Sequence, residues 1–508
     1  MPGLRSTSHN TEGLRVLATK WLAAAGAHRK PLPQAIGDLE PSAERPTLRR
    51  VLGPVDLLLA GVGVIVGGGI FVVTGTAAAQ YAGPAVVLSF LLAGLGCALT
   101  GVCYAELSAM IPTAGSAYSF AYSAYGELAA WIIGWSLLAE YIFAASYVAV
   151  GWSAYLASLL STWGLALPLS MTRAPVLLAA GGSFHGAYVN APAAVLAVIL
   201  TLLTSRGVRM SSVVNSTIVA LKMGALLLVV TVGWRYIQGR NWVPFLPPNE
   251  GSFGQYGWSG VLRAAAIVFV SYLGFDAIAT LAQDTRNPQR DVPIGILGSL
   301  GAVTLLYIAV SLILTGLVSY HSLNVPNPLS VALQGAGTRL TWLLPVVDLA
   351  AVVGLASVVL IILLAAPRVL MAMARDGLLP EAMSRVHSRF RTPAVATLVF
   401  GTCVAVLAGL FPLALLVQLV SIGTLLVFIS VAIGVLVFRR SAPERIRPFR
   451  APFVPVVPVA GALVCAYLLT AIPRLTWAAY VLWLGIGLLI YMLYGKNSAM
   501  RHRGGTPR

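Results

Sequence analysis

The run Gly61-Val-Gly-Val-Ile-Val-Gly-Gly-Gly-Ile-Phe71 places five glycines inside an apolar stretch, Val55 to Ala79, that is long enough to cross a bilayer. Hydrocarbon offers no hydrogen-bond partners, so a spanning segment must pair its backbone within its own helix. Three consecutive glycines at mid-depth weaken that helix and predict a local break. The N–H and C=O groups freed there must line a cavity or a ligand, which glycine lets approach closely. Close helix packing is the alternative use of glycine. It favours glycines spaced by a turn rather than a cluster at Gly67, Gly68 and Gly69.

Lipid is the solvent that this composition requires. Of 508 residues, 58% are hydrophobic and only 10% are charged, with a mean hydropathy of +0.86. The apolar patterning predicts twelve spans near residues 55–78, 84–110, 128–160, 191–204, 212–234, 260–282, 293–319, 342–373, 393–411, 413–438, 453–471 and 475–494. The net charge of +17 could suggest nucleic acid, but its distribution argues otherwise. With both termini cytoplasmic, 25 of the 33 Lys and Arg fall inside and five outside (Arg173, Arg235, Arg240, Arg339 and Arg474). Lys222, Arg263 and Arg368 lie within spans. That asymmetry is a positive-inside signal, so the basic balance reports topology and no nucleic-acid partner is expected.

The chain divides into a basic tail (1–50), two five-span units (51–235 and 236–440), a final span pair (441–495) and a second basic tail (496–508). The first tail has no apolar core long enough for a cleavable signal, so the first span is expected to direct insertion. Within that tail Leu14, Leu17, Ala18, Trp21 and Ala25 form a helical stripe beside Arg15 and Lys20, fit for the inner membrane surface or for the protein's own loops. The cysteines Cys97, Cys103, Cys403 and Cys465 all fall in spans without metal spacing and read as packing residues. All six histidines lie in tails or loops, and HExxH and CxxC are absent, so neither a metal centre nor a cofactor is expected.

Charge at bilayer depth is costly, which makes Lys222 the sharpest single residue. It lies about ten residues into Ser212–Trp234, or roughly 15 Å at helical rise, near the midplane. There it needs an acidic partner, a cluster of carbonyls, or an uncharged form. A broken first helix would supply the carbonyls. Glu140, about a dozen residues into the third span, is the natural counterpart, or else a structural carboxylate held by hydroxyls. Glu106 lies near the inner end of the second span, where it could help lock an inner gate; Arg368 and Asp376 lie at the inner end of the eighth.

A second break is predicted in Phe269-Val-Ser-Tyr-Leu-Gly-Phe-Asp276, where Gly274 and Asp276 interrupt an apolar run that offers Ser271 and Tyr272 as polar groups. Interruptions in spans 1 and 6, five spans apart, are the pattern of a five-plus-five inverted repeat. A half-helix that begins at a break points its N–H groups and dipole at a carboxylate, while carbonyls ending the preceding half suit an ammonium. A site with both features binds an α-amino acid by its zwitterionic head.

At this point the sequence resembles the amino acid–polyamine–organocation superfamily. The resemblance is carried by the run from Gly61 to Gly75, by Cys103-Tyr-Ala-Glu-Leu-Ser-Ala-Met-Ile-Pro-Thr-Ala-Gly-Ser-Ala-Tyr118, and by Gly274-Phe-Asp with Arg286-Asn-Pro-Gln-Arg-Asp-Val-Pro293. Pro367-Arg368 and Met373-Ala-Arg-Asp-Gly-Leu-Leu-Pro380 extend it, so that it covers about residues 48–440. Within the superfamily the chain is similar to the cationic amino acid transporter group and its bacterial proton-coupled branch. It departs from the usual pattern in carrying Gly68 where Ser or Thr is common, and in having twelve expected spans rather than the fourteen of animal members.

The resemblance implies an all-α integral membrane protein of the leucine-transporter type, with discontinuous helices 1 and 6. It implies that amides around Gly67, Gly68 and Gly69 hold the substrate carboxylate, and that carbonyls near Ile65 and from Phe269 through Val270 to Ser271 hold the amino group. Tyr272, Phe275 and Val358 become walls of the side-chain pocket. Lys222 occupies the cation site of sodium-coupled relatives and exchanges a proton instead, with Glu140 and Ser357 as companions. The expected function is secondary-active, proton-coupled amino acid uptake at the cell membrane, with amino acid, protons and lipid bilayer as partners. Sodium symport and exchange without proton coupling are the rivals within this fold. An enzyme would need a βαβ unit around Gly61-x-Gly63, and a channel would need a charged ring or filter loop; neither is visible. A cationic substrate would want a pocket carboxylate, Glu140 or Asp276, whereas Val358 and Val359 suit a neutral side chain.

Overall fold

The computed structural model describes residues 53–111, 116–172, 174, 189–207, 212–275, 278, 285–390 and 392–496. The stripe in the N-terminal tail, Asp276 and parts of the motif loops lie outside the described residues. Helices account for the described architecture, and no β-strand occurs among the described residues.

The first helix, α1 (Pro54–Ile65), opens with proline in its first turn, where a missing N–H costs nothing, and with Asp56 accepting from the Gly53 amide at 2.8 Å. It stops at Val66, whose backbone is extended (φ −70°, ψ 95°). Helical structure resumes at Gly69 and runs to residue 82 as α2 (69–82), which is wound loosely in two π-helical stretches. The predicted first span therefore ends four residues later than expected and is two helices. Gly83 turns the chain with φ +59° into α3 (Val86–Met110).

A short buried helix, α4 (Ala117–Tyr125), follows, which the apolar patterning does not predict. Gly126, at φ +99°, turns it into α5 (Glu127–Thr162). At 36 residues, α5 is about 54 Å long and exceeds the hydrocarbon thickness. Beyond it come α6 (Ala191–Ser205), capped by the Asn190 side chain, and α7 (Ser212–Gly233). The next is α8 (Gly257–Val268), which tightens into a 3₁₀ turn over Phe269–Tyr272. The remaining helices are α9 (Pro288–Leu317), α10 (Pro328–Gly335), α11 (Leu344–Arg375), α12 (Ala394–Leu410), α13 (Leu413–Ser441), α14 (Val456–Thr470) and α15 (Arg474–Ile490).

Seven helical segments among the described residues are long and apolar enough to cross a membrane, and the first of them, 54–110, comprises α1, α2 and α3. Four shorter apolar helices accompany them: α6, α8 with its 3₁₀ extension, α12 and α14. The chain is thus a multi-pass membrane protein. Its helices pack in two groups. In one, α9 lies on α1 and on α3, and α8 lies on α3; in the other, α11 lies on α5 and α12 on α6, with α5 and α6 also in contact. Between the groups, α7 touches α9 and α11, and α13 touches α3 and α5. Three cysteines are buried as packing residues, but Cys403 is exposed on α12.

Candidate functional site

Where α1 ends, two carbonyls lose their helical partners. In an unbroken helix the Gly63 and Val66 oxygens would accept from residues 67 and 70. Instead Lys222 reaches from α7 and donates to both, the Val66 bond being 2.6 Å long. Its side chain is 1% exposed. The stem has room because Gly354 of α11 lies beside it: a Cβ there would sit 3.4 Å from the lysine Cδ. Gly63 faces Val219, one turn before Lys222, at a spacing that a Cβ would fill. Two small residues thus let one cation meet a break that costs its helix two hydrogen bonds.

The second break lies after α8. The 3₁₀ turn is followed by an extended Leu273 (ψ 141°) and by Gly274 at φ +109°, a conformation that favours glycine. The two breaks touch. A Cβ on Gly274 would lie 2.5 Å from the Val64 Cγ1, and one on Gly69 would collide with the backbone and side chain of Ser271. Ser271 Oγ is buried and unpartnered. Gly67 faces Val358 of α11, and Gly68 faces Tyr147 and Val148 of α5. The Gly67, Gly68 and Gly69 amides stand where the second half-helix begins and so have no partner within it.

Tyr307 joins the two breaks from α9. Its hydroxyl lies 3.0 Å from the Ile65 carbonyl oxygen and 2.8 Å from that of Ser271. Neither Tyr307, Tyr147 nor Val148 is marked by any motif in the sequence. A tyrosine near the middle of an apolar span is not distinctive until its partners are known.

Several expected site residues lie elsewhere. Glu140 is not the partner of Lys222: both lysine bonds go to carbonyls, and Glu140 packs beside Gly423 of α13. Ser357 donates to the Gly354 carbonyl of its own helix at 2.7 Å rather than to Lys222. Tyr272 and Phe275 point toward α3 instead of walling the glycine break. The Tyr272 hydroxyl donates to the Phe90 carbonyl at 2.9 Å, and the Phe275 ring stacks edge-on against Tyr104. Phe269 packs against Phe428 of α13, near Gly96 of α3. From this turn it is Ser271, through its Cα and its side chain, that meets Gly69 of α2, while Val358 stays against Gly67. Val270 is buried without a polar bond of its side chain.

Two further carboxylates are fully engaged. Glu106 accepts a bidentate pair from Arg439, each bond 2.8 Å, and the Ala451 amide at 2.7 Å, with Arg447 at 3.4 Å. Asp348, which the apolar pattern hid, accepts from Ser158 of α5 and Ser330 of α10. Neither is available to a ligand. No cluster of His, Cys, Asp and Glu that could hold a metal occurs among the described residues.

Residues 52–484 match the amino acid permease family. The chain is 43% identical over 465 residues to the methylthioribose transporter of Bacillus subtilis (strain 168), covering 92% of this chain and 97% of that protein. It is 42% identical to the branched-chain amino acid permease BcaP of the same organism, covering 89% and 94%. To human cationic amino acid transporter 4 it is 39% identical, covering 80% of this chain but 62% of that longer protein.

Proposed function

Because the chain belongs to the amino acid permease family, it is an amino acid transporter, and we propose that it performs proton-coupled uptake of neutral, branched apolar amino acids by alternating access. The observation that carries this reading is Lys222, a buried cation that holds the two carbonyls freed by the break in the first span. Burial raises the cost of its charge, and the carbonyls offset part of that cost. Charged, it grips α1; after proton loss it donates more weakly and the grip relaxes. Protonation and the position of the first half-helix are then linked, and each biases the other.

The substrate head group would lie between the breaks. Amides of Gly67, Gly68 and Gly69 would take its carboxylate, and carbonyls of residues 65 and 269–271 its ammonium. A neutral side chain is favoured because Val358 presents carbon to Gly67, while Glu140 packs beside Gly423 of α13. The relative named a branched-chain amino acid permease is consistent with that choice.

The five-plus-five repeat is supported by helix pairing. Counting α1–α2 as span 1 and α8 with its continuation as span 6 gives twelve spans. Exchanging each of spans 1–5 with the one five later turns the α1·α9 contact into α8·α3, α7·α11 into α13·α5, and α6·α5 into α12·α11. All of these contacts occur. An orientation with both termini inside is supported by the distribution of Lys and Arg.

The decisive measurement is accumulation of labelled L-leucine in purified proteoliposomes under an imposed inward proton gradient without sodium. The parent should accumulate it against its gradient. Lys222→Arg keeps the charge but does not deprotonate, and should lose accumulation by about tenfold or more. Equal accumulation by the Arg variant would rule out lysine protonation as the coupling step. Accumulation that needs sodium would point to the sodium symporter, and counterflow without any pH effect to an exchanger.

A further inference from the structure

Tyr307 places one hydroxyl between two carbonyls, Ile65 at 3.0 Å and Ser271 at 2.8 Å, which belong to different broken helices. Its ring is fully buried and wedged against Phe90 and Tyr272, with centroids 5.3 and 5.6 Å away. A phenol has one proton, so it can donate to only one of these oxygens at a time, while its own oxygen can still accept. Beside them the Ser271 hydroxyl is buried without a partner. The two carbonyls thus share a single phenolic proton, which leaves an acceptor in excess on this side of the junction. An alkylammonium, with three donors and no acceptor, is its chemical complement.

We propose that Tyr307 is the positioning residue that makes the substrate's α-ammonium a condition of binding. This rests on the reading that the two breaks form the head-group site. In the absence of the amine, the Tyr307 hydroxyl ties the two breaks together. An arriving ammonium donates to the Ile65 and Ser271 carbonyls and to the phenol oxygen, so the tie is replaced by a stronger one through the substrate. An acid of the same shape without the amine offers no donors and leaves the carbonyls to Tyr307.

The test is competition for labelled L-leucine on the purified, full-length protein in detergent, using unlabelled L-leucine and its des-amino analogue 4-methylpentanoate as competitors. The parent should prefer L-leucine strongly. Tyr307→Phe keeps the ring and should lower that preference about tenfold, the effect of one hydrogen bond to a charged group. Tyr125→Phe removes a comparable hydroxyl that donates to the Ser430 carbonyl at 2.6 Å, far from the breaks. It should leave the preference unchanged, which separates recognition from general loosening. If Tyr307→Phe binds both compounds more weakly by the same factor, its hydroxyl is structural only and the proposal falls. A parent that fails to discriminate would overturn the head-group reading itself. A second measurement needs no variant: N-methyl-L-leucine, with one donor fewer, should compete about tenfold less well on the parent, and equal competition would overturn the role of donor number.

Discussion

At the scale of single residues, the site is made by side chains that are missing as much as by those present. Gly69 packs against Ser271 so closely that no Cβ fits, because Ser271 meets it with its Cα as well as its side chain, and main chain cannot swing aside. Gly274 combines a positive φ with Val64 against it. Gly69→Val should therefore push the two breaks apart and favour continuous helix in the first span. Uptake and binding of L-leucine should fall to background while the protein still inserts and elutes as one species. Uptake within twofold of the parent would show that the carboxylate site lies elsewhere. Lys222 works in the same economy of space, since Gly354 gives its stem room and the broken helix gives its charge acceptors.

At the scale of elements, α13 is fastened to α3 by one buried carboxylate. Glu106 is held by Arg439 at the end of α13 and by Arg447 and the Ala451 amide on the chain leading to α14. Removing one partner from such a cluster leaves a buried charge short of donors and costs about 3–5 kcal/mol, more than the intact pair contributes. Arg439→Leu should lower the thermal unfolding midpoint in detergent clearly. Adding Glu106→Gln to it should recover part of that loss, because the stranded charge is gone. Strictly additive losses would mean that the two groups are not coupled. The short helix α10 is tied in a similar way, through Ser330 to Asp348, which also accepts from Ser158.

At the scale of the whole molecule, α7 lies between the two helix groups, touching α9 of one and α11 of the other, and Lys222 ties it to the broken first span. The charge distribution predicts an orientation with both termini inside. Ser252, in the segment before α8, should lie outside, and Ser384, in the segment after α11, should lie inside. In a cysteine-free background, Ser252→Cys should react with a membrane-impermeant maleimide on intact cells, and Ser384→Cys only after permeabilisation. The reverse labelling would invert the topology.

Much of this was legible in the chain itself. Hydrocarbon forces every span to be apolar and internally paired, so the spans, the glycine-weakened break and the anomalous Lys222 stand out locally. The second break was legible for the same reason, since Gly274 interrupts an apolar run. What the sequence could not assign was which face each polar residue turns to and whom it meets. Glu140 and Lys222 share a depth, yet α5 turns the carboxylate toward α13 while α7 turns the amine toward α1. Tyr272 and Phe275 lie at the break but point to α3, and Tyr307, unmarked in its own span, bridges both breaks. Depth along a helix follows from one chain segment and its solvent; facing is decided only when all the helices have packed, because rotation about each axis is set by its neighbours.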